Sequence, residues 1–179
     1  LAGLISSGSV HSYLEHVSAL LEFAKREGAG DVLIHAFTDG KDAPIKDAAA
    51  FIAAWEGRMA TEFPAARIAS VTGRFYAMDR DDKWDRVRLA YDAMKKDGGA
   101  TAEAAVIINN QLSVIRSGDA LVFFNFREDS MREITRAFVE DGFDKFPREK
   151  IADLFVATMT EYEKGLNAAV LFPLLPVAH

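Results

Sequence analysis

The sequence has no cysteine, so disulfides and thiolate metal ligands are excluded, and a reducing compartment is compatible with it. Excess positive charge is missing too. Lys and Arg number 21 against 27 Asp and Glu, a formal charge of -6 that offers no basic stripe to a nucleic-acid backbone, so any anion site has to be local. No apolar stretch approaches the length of a membrane span, and the opening LAGLISSGSVHS lacks the basic start of a signal peptide. The expectation is a soluble, cytoplasmic protein with no nucleic-acid or membrane partner. Several chemical signatures are absent as well. There is no H-x-x-x-H pair, EF-hand loop or His-carboxylate cluster for a metal, no G-x-S-x-G elbow and no Walker loop, which argues against a self-contained hydrolase or nucleoside triphosphatase.

What is present is apolar material in a regular order. Half of the 179 residues are hydrophobic, enough for one stable domain. Residues 1–5 read as a strand that ends in the small-residue turn Ser6, Ser7, Gly8, Ser9. Ser12 with Glu15 makes a capping box, after which Leu14, Val17, Leu20, Leu21 and Ala24 share one helical face until Gly28 and Gly30. Residues 31–37 (DVLIHAF) read as a second strand and 38–44 (TDGKDAP) as its carboxyl-end loop. A helix from Asp47 then carries Phe51, Trp55, Met59 and Phe63 at four-residue spacing, and Pro64 closes it. Residues 67–71 supply a third strand. This alternation predicts an α/β fold: a single three-layer domain over 1–172 with a mostly parallel sheet flanked by helices, then an extended connector at 173–179. Further along, 97–105 reads as a loop or short helical piece, and 106–108 with 112–115 as a small hairpin. Residues 119–126 are an apolar strand, Asp129 caps a helix facing inward through Met131, Ile134 and Phe138, and 154–158 and 168–172 are strand-like.

The densest run of charge and structural punctuation is 72–87, TGRFYAMDRDDKWDRV, a strand-to-helix loop leading into a helix over 83–96 with Trp84, Val87, Tyr91 and Met94 on one stripe. Such loops stand at the carboxyl edge of an open α/β sheet, where ligands bind. Arg74 and Arg80 carry two planar forks of donors suited to phosphate or carboxylate. Asp79, Asp81 and Asp82 can hold those forks on a solvated surface or cap the next helix. Other strand ends contribute Ser7, Ser9 and His11, then Asp39, Lys41 and Asp42, and finally Arg127. Strand ends of one parallel sheet converge, so these residues can surround one anion, with His11 and Asp42 placed to donate to hydroxyls or move a proton. Each has a plainer reading: a histidine before a helix is often a turn hydrogen-bonder, and Asp39 and Asp42 with Gly40 and Pro44 can be turn chemistry. His16 and His35 lie inside a helix and a strand and read as surface or packing residues.

The run 72–87 closely resembles the S/T-G-R-Y/F-Y-A-M-D-R-D-x-R/K-W-D-R signature of the cofactor-independent phosphoglycerate mutases. The likeness recurs in order along the chain: GLISSGSVHSY at 3–13, HAFTDGKDAP at 35–44, GDALVFFNFREDSMREITRAF at 118–138 and MTEYE at 159–163. The resemblance implies a two-domain isomerase that interconverts 3- and 2-phosphoglycerate through a phosphoserine. One domain, similar to alkaline phosphatase, would carry two manganese ions and the serine; this chain resembles the other, inserted domain, which clamps the phosphoglycerate and itself holds no metal or cofactor. Carried over by position, His11, Lys41, Asp42, Arg74, Arg80 and Arg127 match substrate-binding residues, with Asp42 the catalytic proton-transfer partner.

Departures from the pattern are specific. Ser7 stands for an aspartate, Tyr13 for a histidine, Lys41 for an arginine and Ser130 for the second arginine of N-F-R-x-D-R, while 98–117 is short and lacks a T-D-E-F motif. Lysine loses the two-pronged grip and serine loses the charge. The isolated chain is expected to be inactive, and the alternative is a stand-alone, non-catalytic phosphometabolite-binding or structural module with a degenerate clamp.

Overall fold

The computed structural model describes residues 1–44, 48–95, 105–107 and 115–174. The strand, loop, helix alternation unfolds as β1 (Ala2–Ile5), α1 (Leu14–Arg26), β2 (Val32–Thr38), α2 (Ala48–Glu62), β3 (Ala66–Gly73), the single turn α3 (Arg74–Ala77), α4 (Trp84–Lys95), β4 (Ala105–Ile107), β5 (Ala120–Phe123), α5 (Arg132–Val139), β6 (Phe155–Thr158) and β7 (Ala169–Val170). One sheet takes the order β4-β3-β2-β1-β5-β6-β7. Every pairing is parallel except that of β4 with β3, which is antiparallel at the edge.

Alternation along the central strands divides the core into two layers, as period-two side chains require. Ile5, Ile34 and Ala36 face α1 and α2, where Val17 and Leu21 stand one turn apart and Ile52, Trp55 and Met59 repeat the pattern. Leu4, Phe37 and Phe123 face the opposite way, against Val87, Tyr91 and Met94 of α4 and Ile134 and Phe138 of α5. The stripes expected in α1, α2 and α4 are therefore the buried faces, and the three-layer arrangement follows from them.

The order of strands reverses between β1 and β5, and there the two strands diverge. Their ladder has the single aligned pair Ala2 and Phe123. Beyond it Asn125 Oδ1 accepts the Leu4 backbone N–H at 2.9 Å, so a side chain replaces the missing strand neighbour. Gly3 makes this possible: a Cβ there would lie 2.6 Å from the Phe124 ring and 2.7 Å from Asn125 Oδ1. A crevice at such a reversal is where open α/β sheets bind ligands.

Several local expectations are corrected. Ser12 does not cap α1; its Oγ donates to Leu4 O at 2.5 Å, tying the loop after β1 back to the strand. Nor does Asp129 cap α5, whose first residue follows Met131 without a side-chain cap. The strand expected over 119–126 stops at Phe123, and residues 105–107 of the excursion expected near 106–108 pair antiparallel with β3. Residues 108 and 112–114 of that excursion, the helix start at Asp47, most of the 97–105 piece and the connector from 175 onward lie outside the described residues.

His35, inside β2, is buried, and its Nδ1 lies 2.8 Å from Ser70 Oγ across the sheet. Burial pushes its pKa down from 6.5 to about 3. The unfolded chain therefore takes up a proton below pH 6.5 that the folded chain refuses until about pH 3, so stability falls as pH descends through that window. His35→Asn, compared with the unmodified chain by urea unfolding at several pH values, is expected to show a flatter decline between pH about 6.5 and 4, whatever it costs near neutrality.

Candidate functional site

A cleft of about 550 Å³ opens at the carboxyl edge of the sheet, lined by His11, Asp39, Lys41, Asp42, Arg74, Arg80, Arg127 and Ser130 among others. Each strand end supplies a part. His11 follows β1, Asp39 to Asp42 follow β2, Arg74 begins α3 directly after β3, and Arg127 and Ser130 follow β5. The loops after β1 and β5 are stitched together across the reversal point by a 2.8 Å bond from Phe126 N–H to His11 O. All six substrate-binding residues expected from the sequence thus border one space, whereas the exposed Ser7 and Ser9 do not.

Asp39, expected from sequence either as one of the strand-end residues around an anion or as turn chemistry, is the hub of the β2 loop. Its Oδ1 accepts the backbone N–H groups of Gly40, Lys41 and Asp42 at 2.7, 2.9 and 3.1 Å, and Arg74 Nη1 at 2.9 Å. Its Oδ2 accepts Ser6 Oγ at 2.6 Å. Burial alone would raise its pKa, yet the hydrogen bonds from Ser6 and from the Lys41, Gly40 and Asp42 backbones hold it well below the usual carboxylate range. An Asp39 ionised at neutral pH therefore shapes the β2 loop through Gly40, Lys41 and Asp42. Ser6, buried beneath it, was not singled out from sequence; a small hydroxyl one residue past an apolar strand is the only signal it left.

Arg74 sits at the centre. Besides Asp39, its Nη1 donates to Asp42 Oδ2 at 2.5 Å, and its Nη2 lies 2.9 Å from His11 Nε2. His11 Nδ1 in turn lies 3.1 Å from Ser130 Oγ. Burial, aided by the Arg74 and Arg127 charges, lowers the His11 pKa against the opposing pull of Asp129 and Asp42. Asp42 Oδ2 is 3.7 Å from His11 Nε2.

Arg80 and Arg127 also line the cleft, and both donate to Asp129 Oδ2, Arg127 Nη2 at 2.7 Å. Burial favours the neutral acid at Asp129, but the Arg127 hydrogen bond and both guanidinium charges outweigh it and lower the pKa. From sequence, Asp79, Asp81 and Asp82 are expected either to hold these arginines or to cap the next helix. Asp79 serves the backbone leading into α4: its Oδ1 accepts Asp81 and Lys83 N–H at 3.0 Å each, and its Oδ2 takes Arg86 at 2.9 Å. Asp82 N–H donates to Glu133 Oε1 at 3.0 Å, which pins the Arg80 loop against α5. Among the described residues no group of three or more His, Asp or Glu could hold a metal ion, and no helix is long and apolar enough to cross a membrane.

The arrangement suits a small oxyanion with hydroxyls. Three guanidinium groups and a lysine approach from the connections after β2, β3 and β5, and a neutral imidazole and a carboxylate stand beside them. The chain is 43% identical to a 2,3-bisphosphoglycerate-independent phosphoglycerate mutase of Clostridium beijerinckii over 93% of its own length and 36% of that protein's. It is 40% identical to the same enzyme of Salmonella typhimurium, over 97% of the chain and 38% of the relative. A crystal structure of Leishmania mexicana phosphoglycerate mutase at low cobalt concentration superimposes with a TM-score of 0.82 at 29% identity, covering 96% of this chain and 37% of that one. The chain thus spans little more than a third of the length of the relatives it matches. The sequence model described as BPG-independent PGAM N-terminus matches residues 1–113 and 101–164, and the chain belongs to that family.

Proposed function

We propose that this chain is the substrate-clamping domain of a phosphoglycerate mutase, and that the phosphoserine and its two manganese ions reside in a separate, alkaline-phosphatase-like domain outside it. The observation that carries the proposal is the meeting of Arg74, Arg80 and Arg127, 53 positions apart at the extremes (127 − 74), on a single cleft. Arginine forks grip phosphate and carboxylate in fixed orientation, which a compact phosphorylated acid requires if it is to be turned over within the site. Lys41 adds a point charge. Asp42, held by Arg74 and close to His11, is the group placed to exchange a proton with a ligand hydroxyl.

Titrating 3-phosphoglycerate into the chain in a calorimeter tests the clamp. Heat fitting one site per chain is the expected result, with none from glycerate lacking phosphate at the same concentration. The same preparation should show no conversion to 2-phosphoglycerate, because the nucleophile is not in this sequence. Silence with 3-phosphoglycerate sinks the clamp, and turnover by the chain alone sinks the division of labour. A second reading, a non-catalytic phosphometabolite module, draws on Lys41 and Ser130 standing where the family pattern has arginines; binding of other phosphorylated acids in preference to 3-phosphoglycerate would favour it.

A further inference from the structure

The hydrogen-bond polarity of His11 is set by its two neighbours. A guanidinium has only donors, so the 2.9 Å contact from Arg74 Nη2 makes Nε2 the acceptor and leaves it unprotonated. The proton of the neutral ring then sits on Nδ1, whose neighbour at 3.1 Å is the Ser130 hydroxyl. His11 and Ser130 are 4% and 3% exposed, so solvent is poorly placed to substitute for either partner. We propose that Ser130 is a positioning residue acting through His11: by accepting a hydrogen bond from Nδ1–H it holds the ring in the tautomer whose Nε2 lone pair orients the Arg74 guanidinium for the ligand.

The consequence for Arg74 follows by counting donors. Of its five N–H groups, Asp39 and Asp42 engage two on Nη1 and His11 engages one on Nη2. The Nε–H and the second Nη2–H remain, side by side, as a fork for an oxyanion. The relay needs an acceptor at position 130. An arginine there could only donate, and it would set donor against donor at Nδ1 or drive the ring to the other tautomer, which would turn an N–H toward Arg74. Serine at this position therefore does more than remove a charge: it fixes the direction of the hydrogen-bond chain from Arg74 through His11 to Ser130. The serine's own O–H remains available to an oxygen in the cleft, which Ser130 lines. Only the identity of the ligand rests on the phosphoglycerate reading; the tautomer and the Arg74 orientation belong to the free protein.

Nitrogen-15 NMR of the chain near neutral pH tests the proposal before any ligand is added. His11 is expected to carry its proton on Nδ1, with a hydrogen-bonded Hδ1 resonance. In Ser130→Ala that resonance should be lost and the Arg74 Nε–Hε peak displaced, while Ser130→Thr should restore both. Affinity for 3-phosphoglycerate should fall about 10-fold in the alanine variant and recover in the threonine one, the scale of one hydrogen bond lost from a buried site. A ring protonated on Nε2 in the unmodified chain overturns the proposal without any variant having to fold. An Arg74 peak unmoved in Ser130→Ala overturns it too. Failure of the unmodified chain to bind 3-phosphoglycerate would count against the clamp reading alone, leaving these two readouts to decide the role of Ser130.

Discussion

Arg74→Ala is expected to abolish measurable binding of 3-phosphoglycerate, a loss of at least about 100-fold, while leaving the fold standing. Truncating one partner of a desolvated charge pair costs on the order of 2–5 kcal/mol, and each 1.4 kcal/mol is a factor of ten. Arg74 is where that cost concentrates, because its side chain is 14% exposed whereas those of Arg80 and Arg127 are 44% and 43% exposed. Stability should suffer less than the burial of Asp39 suggests. Without Arg74 that carboxylate still accepts Ser6 and three backbone N–H groups, so it is not left bare. A destabilisation of about 1–2 kcal/mol is expected, well short of the 3–5 typical when a buried pair is broken outright. Calorimetric titration and urea unfolding on one preparation separate the two effects. Retained affinity would remove Arg74 from the clamp.

The largest effect on stability belongs instead to Asp39→Ala. That substitution strips the acceptor from three consecutive backbone N–H groups, from Ser6 and from Arg74 at once. Solvent can reach part of the loop, so the sum of unmet donors overstates the cost; about 3–5 kcal/mol is a reasonable total, or a fall in Tm on the order of 10 °C for a chain of this size. The dependence on pH gives a second check. The folded pKa lies below the ordinary 3.8, so the carboxylate contributes fully above about pH 4 and progressively less as pH falls toward its folded value. The gap in stability between Asp39→Ala and the unmodified chain should therefore narrow on acidification below about pH 4. A gap that stays constant would mean that the loop, not the charge, is what Asp39 supports. Ligand affinity should fall as well, since Lys41 and Asp42 lose the frame that aims them.

These two residues show what the sequence could and could not reveal. Apolar runs that stop at polar clusters marked β1, β2 and β3 and their carboxyl ends, because a strand buried on both faces has to be continuously apolar. The helical stripes of α1, α2 and α4 were legible for the complementary reason, one face in and the other out. From those elements alone, parallel strands imply a common edge, and the convergence of His11, Asp42, Arg74 and Arg127 follows from topology. Pairing across that edge was not legible. Arg74 lies 35 residues from Asp39, and Arg80 lies 49 from Asp129. Nothing in spacing favours such distant partners over Asp79, Asp81 and Asp82 nearby. Local backbone geometry decided against the neighbours, since Asp79 is committed to the N–H groups opening α4. Short edge strands such as β7, two residues long, carry too little periodicity to be bounded from sequence.

Similar reasoning explains Ser12 and Asp129, both read as helix caps. Each has the residue type and position of a cap, but each found another partner at this edge of the sheet: Ser12 the carbonyl of Leu4 in β1, Asp129 the guanidinium groups of Arg80 and Arg127. Caps compete with tertiary hydrogen bonds of similar strength, and at a binding edge the tertiary partners prevail. Asp129 also links Arg80 and Arg127 through its Oδ2 and so compensates their charge. Under the proposed clamp, a ligand gripped by both arginines shares or displaces that carboxylate, at a cost in affinity.

The side-chain Nε–Hε resonances of Arg74, Arg80 and Arg127, followed together while 3-phosphoglycerate is added, test the convergence most directly. One ligand gripped by all three predicts that the three peaks shift along a single binding curve with a shared Kd. Peaks that move with unrelated midpoints, or only one that moves at all, would mean the guanidinium groups do not meet on one anion.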